Sequence, residues 1–85
     1  MSPGSILDTL ARVLSEIKKT PALAGRITAE TDLLADVGLD SLQLSELMLR
    51  LEEELDADLD VSQFDLRYLR RAQELVEFLA RGLPG

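Results

Sequence analysis

Ile6, Leu10, Val13, Leu14 and Ile17 recur at i, i+4, i+7, i+8 and i+11, which places five apolar side chains on one face of a helix. This predicts a first helix over about residues 5–19. Ser5 would be its N-cap with Asp8 in the capping-box position, and Lys18, Lys19 and Pro21 would mark its end. A second helix is predicted from Ser41 to Leu55, with Asp40 and Gln43 as a capping-box pair. At about 100° per residue, Leu44, Leu47, Met48, Leu51 and Leu55 form one narrow stripe, which must face the core. Asp56 to Asp60 breaks that pattern. Ser62 with Asp65 predicts the cap of a short third helix to about Tyr68, anchored by Phe64 or Leu66 and by Leu69. A last helix over about 71–81 aligns Ala72, Leu75, Val76 and Leu79, and Gly82 and Pro84 stop it. The connection 21–40 holds Leu23, Ile27, Leu33, Leu34, Val37 and Leu39, so it is predicted to pack rather than float, with one short helical turn starting at Thr31 or Asp32. No alternating β-branched run suggests a strand. The expected fold is all-α: a small four-helix bundle, three main helices plus a short third one, with a long loop between the first and second helices.

Composition narrows the picture. The 85 residues suffice for one small domain, whose burial on folding is modest, about 60–65% of the unfolded surface. With 46% hydrophobic and 29% charged residues the chain is globular rather than disordered. The core is expected to be leucine-rich and adaptable, because the aromatics are one Tyr and two Phe. Sixteen acids against nine bases give a net charge of −7, which argues against nucleic acid and anionic membranes as partners and for basic protein surfaces. There is no Cys and no His. No apolar run is long enough to span a bilayer and no signal peptide pattern is visible, so the expected compartment is cytoplasmic.

Candidate chemistry centres on Ser41. It lies at a predicted helix start, where unpaired N–H groups and a partial positive charge suit a phosphate. No His, Cys or phosphate loop is present to activate the hydroxyl. Ser41 therefore reads as a residue that another enzyme modifies, and the chain as a non-enzyme. On the outer face of the second helix, Leu42 and Leu49 lie about 140–160° from the core stripe. Glu46 and Glu53 flank them, with Ser45 and Glu52 at one side. Apolar anchors ringed by acids, leading away from Ser41, suggest a docking strip. Isolated exposed leucines are also ordinary on helices, and Arg50 interrupts the acidic face.

The motif Gly38-Leu39-Asp40-Ser41-Leu42 follows Thr31-Asp32-Leu33-Leu34. It is continued by Glu46-Leu47 and Leu51-Glu52-Glu53-Glu54-Leu55. Together these segments resemble the acyl carrier protein family, over roughly residues 6–83. The resemblance implies one carrier domain over residues 1–85, with flexible ends at 1–4 and 83–85, acting as a monomer. It implies a 4′-phosphopantetheine arm derived from coenzyme A on Ser41, with Asp40 and Leu42 beside it and acyl groups held as thioesters on the arm's thiol. The implied partners are a phosphopantetheinyl transferase, which uses a divalent metal, and acyltransferase, ketosynthase or other acyl-processing enzymes. Gly-Leu-Asp-Ser-Leu is closer to polyketide-type carriers than to the primary fatty acid carriers. An aminoacyl or peptidyl carrier is one alternative, and a helical interaction module without a cofactor is another.

Two further features are weaker. Asp56-Ala57-Asp58-Leu59-Asp60 mimics the start of a calcium loop, but Val61 stands where Gly is required and Arg67 where the bidentate Glu is required. No metal site is expected. Arg67, Arg70 and Arg71 cluster ahead of the last helix, where positive charge opposes the helix dipole. A solvated cluster pairing with acids is the favoured reading of these three.

Overall fold

A computed structural model of the chain describes residues 3–83. Three α-helices form its frame: α1 (Pro3–Ile17), α2 (Ser41–Leu55) and α3 (Ala72–Arg81). Three 3-10 segments lie between them, at Pro21–Arg26, Val61–Gln63 and Leu66–Arg70. No strand occurs among the described residues. The helix α1 packs against both α2 and α3, and α3 also packs on the Leu66–Arg70 segment. The molecule is thus a small helical bundle, as the apolar periodicity predicts.

Its core is the set of stripes read from the sequence. Ile6, Leu10, Val13 and Leu14 of α1 are buried, as are Leu47, Leu51 and Leu55 of α2 and Ala72, Leu75, Val76 and Leu79 of α3. Leu44 and Met48 pack against this core from the margin. The connecting residues Ile27, Leu33 and Leu39 are buried as well, so the long loop is a layer of the core. Leu34 instead faces solvent.

The ends of the elements differ from expectation. The helix α1 begins at Pro3 and so takes in Ser5, which lies inside the first turns rather than at the cap. The Ser5 carbonyl accepts a hydrogen bond from the Thr9 hydroxyl, one turn on. Proline at a helix start is favoured because its missing N–H would have no intrahelical partner there. At the other end α1 stops at Ile17, because Lys19 adopts a left-handed conformation with φ 54°. Of the expected flexible ends, Pro3 and Gly4 belong to α1 and Leu83 packs against the core. Residues 1–2 and 84–85, with Pro84, lie outside the described residues.

The predicted third helix also changes form. Ser62 does not cap it. The Ser62 hydroxyl donates to Asp60 at 2.6 Å within the first short 3-10 turn. Asp65 caps the segment Leu66–Arg70, accepting from the Arg67 N–H at 2.9 Å. Phe64 is the inward anchor and Leu66 is exposed. Phe64, Tyr68 and Phe78 gather into one cluster with ring centroids 5.4–6.1 Å apart. The few rings are therefore confined to one side of an otherwise leucine core. Inside the long loop, Asp32 starts the short turn: its carboxylate accepts from the Leu34 and Ala35 N–H groups, both at 2.9 Å.

Candidate functional site

Ser41 is the first residue of α2 and is exposed. Its hydroxyl has no hydrogen-bond partner among the described residues. The local sequence explains why α2 starts here. Asp40 has extended backbone and its carboxylate accepts from the Gln43 N–H at 2.7 Å. The Gln43 side chain returns the bond, its Oε1 accepting from the Asp40 N–H at 3.3 Å. This reciprocal cap satisfies two donors at the helix start and fixes the direction of the chain entering it. Just before it, Gly38 has φ 76°, a left-handed conformation that a side chain disfavours. That turn lets Leu39 enter the core while Ser41, two residues on, stays in solvent.

A contact from a distant element supports the same turn. The Lys18 Nζ, just past the end of α1, donates to the Gly38 carbonyl and to Gln43 Oε1, both at 3.1 Å. Sequence reasoning assigned Lys18 only to the dipole of α1. Its partners stand 20 and 25 positions away, and no local signal announces them.

The outer face of α2 carries the other predicted residues. Leu42 is 79% exposed and Leu49 60% exposed, although both are large apolar side chains. Ser45, Glu46 and Glu53 are exposed with them and Glu52 is half-buried. None of these carboxylates takes part in an ion pair among the described residues. Arg50 does not interrupt this face as expected. Its guanidinium turns to α1 and meets Glu16 at 2.7 Å and Glu54 at 3.8 Å, while Arg12 meets Glu54 at 2.6 Å and Glu16 at 3.1 Å. The hydrogen bond from Arg50, then that from Arg12, holds the Glu16 carboxyl below the usual carboxylate range. The Arg–Glu quartet straps α2 to α1 and leaves an uninterrupted strip of Leu and Glu outside.

The arginines ahead of α3 separate into different roles. Arg67 pairs with its own cap Asp65 at 3.0 Å, and Arg71 reaches Glu30 of the long loop at 2.8 Å. Arg70 is exposed and forms no ion pair among the described residues. Among those residues no three His, Cys, Asp or Glu side chains gather as a metal site, and no helix is long and apolar enough to cross a membrane.

Cavities of about 240 Å³ lie at two places among the described residues. One is lined by Asp58, Tyr68, Phe78 and Arg81 among others, with the Arg81 guanidinium over both rings at 5.7–5.9 Å. The other lies in the long loop between Leu23, Ile27 and Val37. Neither contains a residue of the Ser41 face.

An exposed serine at a capped helix start, with an N-terminal helix turn beneath it and neither His nor Cys in the chain, fits covalent attachment of a phosphate-linked group. Comparison with known proteins agrees. The family model for the phosphopantetheine attachment site matches residues 5–79. An acyl carrier protein of Syntrophus aciditrophicus is 36% identical over 50 residues, covering 59% of this chain and 60% of the relative. One from Saccharopolyspora erythraea is 38% identical over 65 residues, covering 76% and 66%. One from Trieres chinensis is 32% identical over 72 residues, covering 82% and 90%. The chain thus spans less than two thirds of the length of the first two relatives and nearly all of the third. With the attachment-site model spanning most of its length and carrier relatives matching at 32–38% identity, the chain belongs to the acyl carrier protein family.

Proposed function

We propose that Ser41 bears the phosphopantetheine and that the chain carries acyl intermediates of a polyketide or fatty acid pathway as thioesters. The observation that carries this reading is the exposed, unpartnered Ser41 hydroxyl at the first position of α2, behind the Asp40–Gln43 cap. In the loading step, supplied by a phosphopantetheinyl transferase, the Ser41 oxygen forms a new bond to the phosphorus that bears the pantetheine in coenzyme A. The bond from that phosphorus to the bridging pyrophosphate oxygen breaks, releasing adenosine 3′,5′-bisphosphate, and the hydroxyl proton passes to the transferase or to solvent. The arm supplies a mobile thiol that exchanges acyl groups. The chain's own residues present it: Asp40 and Gln43 hold the helix start, and the α2 amides favour the phosphate's negative charge.

The α2 strip of Leu42, Ser45, Glu46, Leu49, Glu52 and Glu53 is the proposed meeting surface for the transferase and for acyltransferase or ketosynthase partners. Two exposed leucines supply desolvated anchors, and the unpaired carboxylates attract basic surfaces and orient them. Its tie to the Ser41 site is direct, since Leu42 is the next residue. Treatment with coenzyme A and a broad-specificity transferase, followed by intact mass measurement, tests the attachment. One phosphopantetheine should be added to the native chain and none to Ser41→Ala. A Ser41→Ala variant that still gains the group would overturn the assignment.

A further inference from the structure

We propose that Lys18 is a positioning residue for the modified serine: it braces the turn that presents Ser41 and supplies the positive charge that faces the phosphodiester once formed. This rests on the assignment of the attachment to Ser41. Three observations carry it.

First, the Lys18 ammonium bonds two groups that bracket the helix start, the Gly38 carbonyl and Gln43 Oε1. Gln43 Oε1 is itself the acceptor for the Asp40 N–H. Lys18 is therefore wired to the cap that sets where Ser41 points, and its Nζ is two hydrogen bonds from the backbone of the adjacent residue.

Second, the charge of Lys18 is not neutralised. Both its acceptors are neutral, and no ion pair to Lys18 occurs among the described residues, although acids outnumber bases sixteen to nine. Arg12, Arg50, Arg67 and Arg71 all find carboxylates. Lys19, Arg26, Arg70 and Arg81 form no ion pair among the described residues either, but all four are exposed, whereas Lys18 is half-buried. An ammonium has three donors, and two are used.

Third, the group expected on Ser41 is an anion at a helix N-terminus, where the helix contributes only partial charges and Asp40 adds an opposing full one. A cation held at the same turn offsets that opposition. A lysine suits the task because a compact ammonium can keep its two braces while directing its third donor outward.

The test begins with the native chain, uniformly 13C-labelled, before and after loading with coenzyme A and transferase, loading being verified by mass. The Lys18 side-chain 13C signals, recorded by NMR in both forms, should move on loading, with those of the other lysine, Lys19, moving less. Lys18→Met should be loaded about tenfold more slowly, with a melting temperature lowered by only a few degrees, and Lys18→Arg should recover most of the rate. Identical Lys18 side-chain signals in the unloaded and loaded forms would overturn the inference while leaving Ser41 in place. A native chain that gains no mass would instead overturn the Ser41 assignment itself, and this inference with it.

Discussion

Arg50 on α2 lies 2.7 Å from Glu16 on α1, and this pair turns the only basic residue of α2 away from its acidic outer face. The docking strip is thereby left with one sign of charge, and the two helices gain a tie that acid should cut. Glu16 is held below the ordinary carboxylate range by Arg50 first and Arg12 second. A carboxyl whose folded pKa is depressed contributes stability that is complete above its unfolded pKa, near 4, and is lost as pH falls through the lower folded value. The melting temperature of the native chain should exceed that of Glu16→Gln at neutral pH, and the gap should close as pH drops below about 4. A gap that persists unchanged at pH 2 would mean that Glu16 acts through packing rather than charge.

The two faces of α2 should respond oppositely to the same change. Leu47 is completely buried, so Leu47→Ala should destabilise the fold by roughly 2–5 kcal/mol through cavity formation. Leu49 is 60% exposed, and Leu49→Ala should leave the unfolding midpoint nearly unchanged while slowing turnover by partner enzymes. Chemical denaturation and an acyl-transfer assay on both variants distinguish the two roles.

Asp40 has a structural duty that Ser41 lacks. Replacing it with Ala removes the acceptor for the Gln43 N–H and should cost about 1 kcal/mol. Ser41→Ala, which removes a hydroxyl without partners among the described residues, should melt with the native chain. Thermal unfolding of both variants checks this.

An apolar cargo can enter the bundle only by repacking its leucine interior. Among the described residues no close backbone contact joins α2 to α3, and the interior is filled by leucine side chains such as Leu47, Leu51, Leu75 and Leu79. Such side chains can repack around a slender guest, and each buried methylene is worth about 0.8 kcal/mol. A saturated acyl chain on the arm should therefore shift the amide signals of Leu51, Leu69 and Leu75 relative to the unacylated form. A polar polyketide cargo, which would bring unpaired carbonyls inside, should perturb only residues around Ser41.

Salt should stabilise the fold. Glu46, Glu53, Asp56, Asp58 and Asp60 are exposed and form no ion pair among the described residues. Raising ionic strength from 0.01 to 0.1 M shortens the Debye length from about 30 to about 10 Å and weakens their mutual repulsion. The six arginine ion pairs among the described residues are screened too, but they act at contact distance and lose less. The melting temperature should rise across that range, and a fall would show that the arginine ties dominate.

The helix stripes, the cap at Asp40 and the exposure of Ser41, Leu42 and Leu49 were legible in the sequence, because each depends on residues within one or two helical turns. Apolar periodicity decides which face of α2 is buried, and the opposite face then follows from 100° per residue. The family was legible for a similar reason: its motif is a contiguous stretch around Ser41. Tertiary structure decided everything that joins distant parts of the chain. It turned Arg50 inward to Glu16, 34 positions away, set Arg71 on Glu30, and placed Lys18 on the turn before Ser41. It also broke the third helix into 3-10 turns, where packing of Phe64 and Tyr68 against Phe78 and the cap at Asp65 outweighed the Ser62 signal. The physical reason is common to all of these. Local hydrogen bonds and apolar periodicity are written within a turn or two of chain, whereas the partner of a long charged side chain depends on which elements the fold brings alongside it.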